Sequence, residues 1–254
     1  YKNELALFRS FCGRTGWLVF REGYDTLSAD DMSGMIVSRN DFAYTLKEYI
    51  EKNGLTTGSL LKLGTDICMG LEYTVKNGMV HGSLKLEDIF ADDSHKFRMG
   101  SRDPDIIERR LIPDDGDILK MAYVSPECAC GASVTNASDI YSLGLIMYTL
   151  MNGMLLPFEK EYGKEAAIRK RISGEKIPRP DFDAGRLTDI VMKAISFNKS
   201  ERYQSPYSMR KELEQEYYEL ENSIKLKLEK ENAERIQREK ERQLAHPEES
   251  DISA

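Results

Sequence analysis

Two charged side chains three residues apart, Lys85 and Asp88, lie in the loop stretch His81-Gly82-Ser83-Leu84-Lys85-Leu86-Glu87-Asp88, where both are expected to hydrogen-bond and pair within the loop. A second chemical pattern is Cys128-Ala129-Cys130, half of a metal site by spacing. Only His81, His95 and His246 are available as imidazoles to complete it, so these cysteines, with Cys12 and Cys68, read as reduced thiols and no metal is expected. A third feature is Asp139, a lone charge at the mouth of an apolar run, and a charge there needs partners.

That run, from Asn136 to Met151, is the element that must position the rest. Asn136 and Ser138 are cap-type residues, and Asp139 suits the positive end of a helix. Ile140, Leu143, Leu145, Ile146, Met147, Leu150 and Met151 then point in nearly every direction at a helical period, so the helix is expected to be buried all round. At roughly fourteen residues it is shorter than the about twenty a bilayer demands. It reads as the central post of a soluble helical domain, closed by Asn152-Gly153. The chain of 254 residues is 41% hydrophobic, enough for one large or two small cores. Its net charge of −7 argues against a nucleic-acid surface and against attraction to anionic lipid. Neither a signal peptide nor a membrane span is expected, which points to the cytoplasm.

Along the chain, residues 1–11 read as the tail of a helix, and 17–20 and 35–37 as strands around a polar loop. Helices are expected over 42–53, capped by Asp41, and from Ser59 to an Asn77-Gly78 stop, with Leu60, Leu63, Ile67, Leu71 and Val75 on one face. Met79-Val80 reads as a short strand. A hairpin follows the loop: residues 89–91, a turn at Asp92-Asp93-Ser94, and 96–99 with Phe97 and Met99 toward the core. Residues 102–121 read as an irregular surface segment, and further helices are expected near 164–173, 187–196 and 205–220. A few strands followed by many helices make an α+β protein.

The order of these elements, with the residues at their joints, resembles the protein kinase family of the Hanks type, and above all its carboxy-terminal lobe. His81 to Asp88 resembles the catalytic loop H-R-D-L-K-x-x-N without a gap, Tyr123-Val124-Ser125-Pro126-Glu127 the A-P-E segment, and Ser138-Asp139-Ile140-Tyr141-Ser142-Leu143-Gly144 the buried helix after it. Glu201-Arg202-Tyr203 resembles the turn that supplies an arginine to the A-P-E glutamate. The resemblance implies structural roles for four residues. Asp139 would accept bonds from the loop backbone near His81, and Glu127 would form a buried ion pair with Arg202.

Several positions depart from the family pattern. Ser83 stands where the loop aspartate accepts the substrate hydroxyl's proton, and a neutral hydroxyl is a poor acceptor at physiological pH. Gly82 replaces the loop arginine. Counting on from Asp88 without a gap puts Ser101 at the D-F-G metal ligand, where one hydroxyl cannot replace a carboxylate on a hard cation. Asp88, in the place of the metal-binding asparagine, could still hold one ion. Nothing before Trp17 resembles the glycine-rich loop or the strand lysine that hold ATP phosphates, and Glu4 is the one match to the helix glutamate.

The expected organisation is therefore a partial, strand-containing amino-terminal lobe over 1–40, a mostly helical kinase-like carboxy-terminal lobe over 41–220, and a charged helical tail over 221–254. In the tail Glu231–Arg235 and Glu234–Arg238 are i,i+4 pairs, Ile224, Leu228 and Ile236 are too sparse for a heptad seam, and the last residues are expected to be disordered. These departures lead to the expectation of a pseudokinase: not an enzyme, with Ser83, Lys85, Asp88 and Ser101 as degenerate positions, no magnesium, and at most weak ATP binding. It would act as a binding or scaffolding signalling module for a protein partner such as an active kinase, with a homodimer open and nucleic acid excluded. Two rival readings are an atypical ATP-dependent phosphotransferase using Lys85 and Asp88, and an assembly protein working through the helical tail.

Overall fold

The computed structural model describes residues 18–19, 44–82, 84–100 and 117–245. The helix expected over 1–11, the strand at 35–37, the Asp41 cap, most of the polar segment, and both Ser83 and Ser101 lie outside the described residues, as do Glu4, Cys12 and His246.

The fold is α+β, and the described residues form two compact units, Tyr1–Glu214 and Gln215–Ala254. In the first, a small sheet has the order β1 (Leu18–Val19), β4 (Phe97–Gly100), β3 (Ile89–Ala91), β2 (Tyr44–Thr45). The β3–β4 hairpin pairs Ile89 with Met99 and Ala91 with Phe97, while β1 lies parallel to β4. Phe97 and Met99 are buried, as their alternation with Lys96 and Arg98 requires. The turn closes on the Asp92 carboxylate, which accepts from the backbone N–H groups of Ser94 and Lys96.

Helix α1 (Leu46–Asn53) starts four residues later than its apolar pattern suggested, because Thr45 and Glu48 form a capping box. Helix α2 (Thr57–Lys76) is capped by Thr56 and ends at Gly78, whose φ of 69° lets Met79 donate its N–H back to the Thr74 carbonyl. That closure explains why Met79-Val80 is not a strand: the helix end has taken the Met79 donor.

After the hairpin come α3 (Pro126–Ala129) and the central helix α4 (Asn136–Met151). Every α4 residue from Ser138 to Met151 is buried, as an all-round apolar run demands. Its cap is Thr135 rather than Asn136: the Ser138 hydroxyl accepts from the Thr135 N–H at 2.7 Å and donates to the Thr135 carbonyl at 2.6 Å. The short α5 (Glu159–Tyr162), α6 (Lys164–Ile172) and α7 (Arg186–Ala194) surround it. The α4–α7 crossing is close, since a Cβ on Gly144 would sit 2.7 Å from that of Ala194, too near for any larger residue. The last helix, α8, spans Pro206–Ala245; its Met209 and Leu213 are buried.

In the second unit the described residues are mostly exposed and highly charged, and from Ser223 to Arg242 all are exposed. Glu234 pairs with Arg238 at 3.5 Å, and Glu231 pairs with Lys227 rather than Arg235. Helical side chains lean toward the amino terminus, which brings Glu231 back over residue 227. Ile224, Leu226, Leu228 and Ile236 are exposed without forming a stripe. Among the described residues no helix is long and apolar enough to cross a membrane.

Candidate functional site

The loop after α2 is held from below by α4. The Asp139 carboxylate accepts from the backbone N–H of His81 at 2.8 Å and from that of Gly82 at 2.7 Å, one oxygen for each. Asp139 is buried at the first turn of α4, where the helix dipole also favours its charge. Charge-assisted bonds to two successive amides leave the loop backbone little freedom. Gly82 has φ 79°, and a Cβ there would meet Val134 at 3.3 Å, so an arginine at this position would be strained.

His81 is buried and ties the loop to the sheet. Its Nε2 lies 3.1 Å from the Gly100 carbonyl, and a carbonyl can only accept, so Nε2 carries the proton. Nδ1 has no hydrogen-bond partner among the described residues. A single strand end thus meets the loop twice, since a Cβ on Gly100 would also lie 3.3 Å from the Asp88 carbonyl oxygen. Leu86–Asp88 forms one 3₁₀ turn, with Asp88 only 7% exposed and Lys85 half-buried just before it. Behind the hairpin, the buried Asp66 pairs with Lys62 at 2.5 Å and accepts from the Phe97 N–H at 3.0 Å, fixing β4 to α2.

Glu127 and Arg202 meet as a fork: Nη1 to Oε1 and Nη2 to Oε2, each 2.8 Å. The Arg202 side chain is 0% exposed and also donates to the carbonyls of Ser196 at 2.7 Å and Phe197 at 3.0 Å. Burial pushes the Glu127 carboxyl up, but the Arg202 hydrogen bonds and charge outweigh it and hold the group below its ordinary value.

Two residues of this region have partners that sequence reasoning did not assign, Arg171 outside every motif and Ser142 within that of the buried helix. Arg171, on α6, donates to the carbonyls of Met121, Ala122 and Val124, and Ser142, on α4, donates to that of Tyr123. Arg171 sits in the run Arg169-Lys170-Arg171, which by sequence reads as the solvated last turn of a helix. Tyr123 faces the loop's charge: burial raises its phenol well above the ordinary range, and the negative charge of Glu87 adds to the shift.

Cys128 is buried, its thiol 3.8 Å from the Ser133 carbonyl, while Cys130 is exposed. Among the described residues no three His, Cys, Asp or Glu side chains are grouped to hold a metal. A nucleotide-borne divalent cation needs less: magnesium keeps its waters and takes one or two carboxylates beside the phosphates. Asp88 fits that role as a single oxygen ligand.

The sequence matches the protein tyrosine and serine/threonine kinase family over residues 27–211. It is similar to the serine/threonine-protein kinase PknB of Mycobacterium tuberculosis, 28% identical over 205 residues that cover 75% of this chain and 32% of that protein. The serine/threonine/tyrosine-protein kinase HT1 of Arabidopsis thaliana is 25% identical over 160 residues, 62% of this chain and 41% of that protein. A probable serine/threonine-protein kinase of Clostridium perfringens, CPE1738, is 26% identical over 187 residues, 71% and 27% of the two chains. The chain spans about a third of the length of the first of these relatives. The expectation that the protein is not an enzyme is overturned here, because the proteins it resembles are named as kinases. That expectation rested on Ser83 and Ser101, but kinase chemistry is mostly positioning and charge neutralisation, and a missing base slows it without removing those contributions. With the match running through the loop, the Glu127 segment, α4 and the Arg202 turn, the chain belongs to the protein kinase family.

Proposed function

We propose that this chain is part of an ATP-dependent protein phosphotransferase of low turnover, with residues 41–220 as its carboxy-terminal lobe, 1–40 as part of the amino-terminal lobe and 221–254 as a tail. The observation that carries the reading is the Asp139 clamp on the His81 and Gly82 amides, which holds the loop of Lys85 and Asp88 at one position between α4 and the sheet. A loop built only to connect would need no buried carboxylate beneath it. Lys85 is placed to bind a phosphate as a point charge, and Asp88 to orient the metal-bearing nucleotide. A bound magnesium would neutralise charge developing on the phosphates. Ser83 can hold an acceptor hydroxyl by a hydrogen bond but not take its proton, so turnover should fall about 10²–10⁴-fold below that of a base-assisted site. With one carboxylate ligand in view, Mg-ATP binding should be weak. The substrate is a protein hydroxyl.

Radiolabelled γ-phosphate transfer in magnesium or manganese tests this. Slow transfer is expected from the wild-type chain, with Lys85→Ala and Asp88→Ala abolishing it and Ser83→Asp raising it. Transfer that survives both alanine variants, or its complete absence with the amino-terminal lobe supplied, sinks the proposal.

A further inference from the structure

Where α4, α6 and α7 meet there is a cavity of about 320 Å³, walled by Tyr141, Ile177, Met192, Ile195 and Phe197, with Arg171 in its lining. Small-molecule sites begin at about this size and share this make-up, mostly apolar with a few polar groups. Arg171 is 1% exposed, and burying a charge costs free energy unless it is paired and fully hydrogen-bonded. A guanidinium carries five N–H donors. Those of Arg202 are all used: Nε on the Ser196 carbonyl, Nη1 on Glu127 and the Ala137 carbonyl, Nη2 on Glu127 and the Phe197 carbonyl. Arg171 uses four. Its Nη1 donates to the Val124 carbonyl and the Tyr141 hydroxyl, and its Nη2 to the carbonyls of Met121 and Ala122. The fifth donor, Nε–H, has no hydrogen-bond partner among the described residues, and every acceptor Arg171 does have is neutral. The acids of the lining do not supply the missing charge. Glu175 is held by Lys170 at 2.8 and 2.9 Å, and Glu201 is exposed. With Glu175 neutralised, the lining sets two cations, Arg171 and Lys176, against Glu201.

We propose that this cavity binds a small molecule built as a carboxylate on a compact apolar body. A carboxylate oxygen accepts from the Arg171 Nε–H and its charge compensates the guanidinium, while Ile177, Met192, Ile195 and Phe197 cover the body. A phosphate is the poorer fit, because it draws several donors and Arg171 has one open. The site shares no residue with the Lys85–Asp88 loop, so it does not depend on the phosphotransferase reading.

The test is a nuclear magnetic resonance titration of the full chain, labelled at Ile and Met methyl groups. The probes are benzoate and 4-methylpentanoate, with benzamide and 4-methylpentanamide as their uncharged counterparts. At least one acid should bind with Kd at or below about 1 mM, shifting the Ile177, Met192 and Ile195 methyl signals, and its amide should bind at least about tenfold more weakly. Arg171→Met, which keeps the stem and removes the charge, should weaken the acid by about tenfold or more and leave the amide within about twofold. Ile177→Trp, which fills the cavity and keeps Arg171, should abolish binding of both. The inference is overturned by Kd values above about 1 mM for both acids, by shifts confined to other methyl groups, or by an acid-over-amide preference below about tenfold. An acid affinity unchanged in Arg171→Met overturns it as well. Should Arg171→Met not fold, the preference in wild type and the loss in Ile177→Trp decide, and binding that survives Ile177→Trp overturns the site.

Discussion

Arg202 and Arg171 flank the same buried ring and are neutralised in opposite ways. The guanidinium of Arg202 lies 4.6 Å from the centroid of Tyr141, and that of Arg171 lies 5.6 Å from it. Arg202 has a carboxylate, Glu127, in fork geometry. The acceptors of Arg171 are neutral, three carbonyls and the Tyr141 phenol, and it forms no ion pair among the described residues. A guanidinium is more weakly hydrated than an ammonium and presents donors in a rigid fork, so a set of aligned carbonyl dipoles can replace water around it. The difference teaches which bonds each site can lose. Where a full charge compensates, removing it strands its partner; where dipoles compensate, removing the cation leaves only acceptors, which water can serve.

The largest effect should therefore come from Glu127. Glu127→Ala leaves Arg202 buried without its counter-charge and should cost about 3–5 kcal/mol, read from chemical denaturation. Arg202→Ala should cost a similar amount, and the double variant should cost less than the sum. Additive losses of under about 1 kcal/mol each would show that the two charges contribute independently. The same pair gives a pH signature. The carboxyl of Glu127 is lower in the folded than in the unfolded chain, so its contribution is present above the unfolded value near 4.5 and is lost as pH falls through the folded one. Below pH about 4.5 the wild type should lose stability more steeply than Glu127→Gln.

A smaller loss is expected on the other side of the ring. Arg171→Met removes the cation together with its donors and keeps the volume of the stem. Arg171 itself lines a cavity of about 320 Å³, together with Tyr141, Ile177, Met192, Ile195 and Phe197, which is roomy enough for water to follow the guanidinium's place. The cost should be about 1–3 kcal/mol, below that of Glu127→Ala. If the order of the two is reversed, the carbonyl cage is more than a substitute for solvent.

The same contrast explains what could be read before the structure was known. Glu127, Asp139, His81 and Arg202 belong to contiguous patterns whose spacing carries over from one family member to another, and α4 declares itself because fourteen consecutive buried residues leave no polar stripe. Arg171 has no such signature. Its partners lie 30 to 50 residues away in sequence, and its neighbours Arg169 and Lys170 on a polar helix are what a solvated face looks like. Ser142 likewise reads as a small polar residue on a buried helix until the Tyr123 carbonyl is seen above it. Local competition decided the other misreadings. Thr135 displaced Asn136 as the cap because Ser138, three residues on, could answer it, and Met79 gave its N–H to the end of α2 rather than to a strand.

The smallest predicted effect isolates the ring the two arginines share. Tyr141→Phe keeps the aromatic face, so both cation–π contacts persist, and deletes only the phenol oxygen that accepts from Arg171 Nη1 at 3.0 Å. The phenol is one of four acceptors around Arg171 and the other three remain, so its loss should cost about 0.5–1.5 kcal/mol, as for an ordinary hydrogen bond. The partition is sharper than the magnitude. In an Arg171→Met background the phenol has lost that donor, and Tyr141→Phe should become nearly neutral there. In a Glu127→Ala background the donor is still present, so the phenol's contribution should be unchanged and the two losses should add within about 0.5 kcal/mol. A phenol that costs as much to remove without Arg171 as with it would show that the oxygen serves another group, and that the two arginines are joined through the ring face alone.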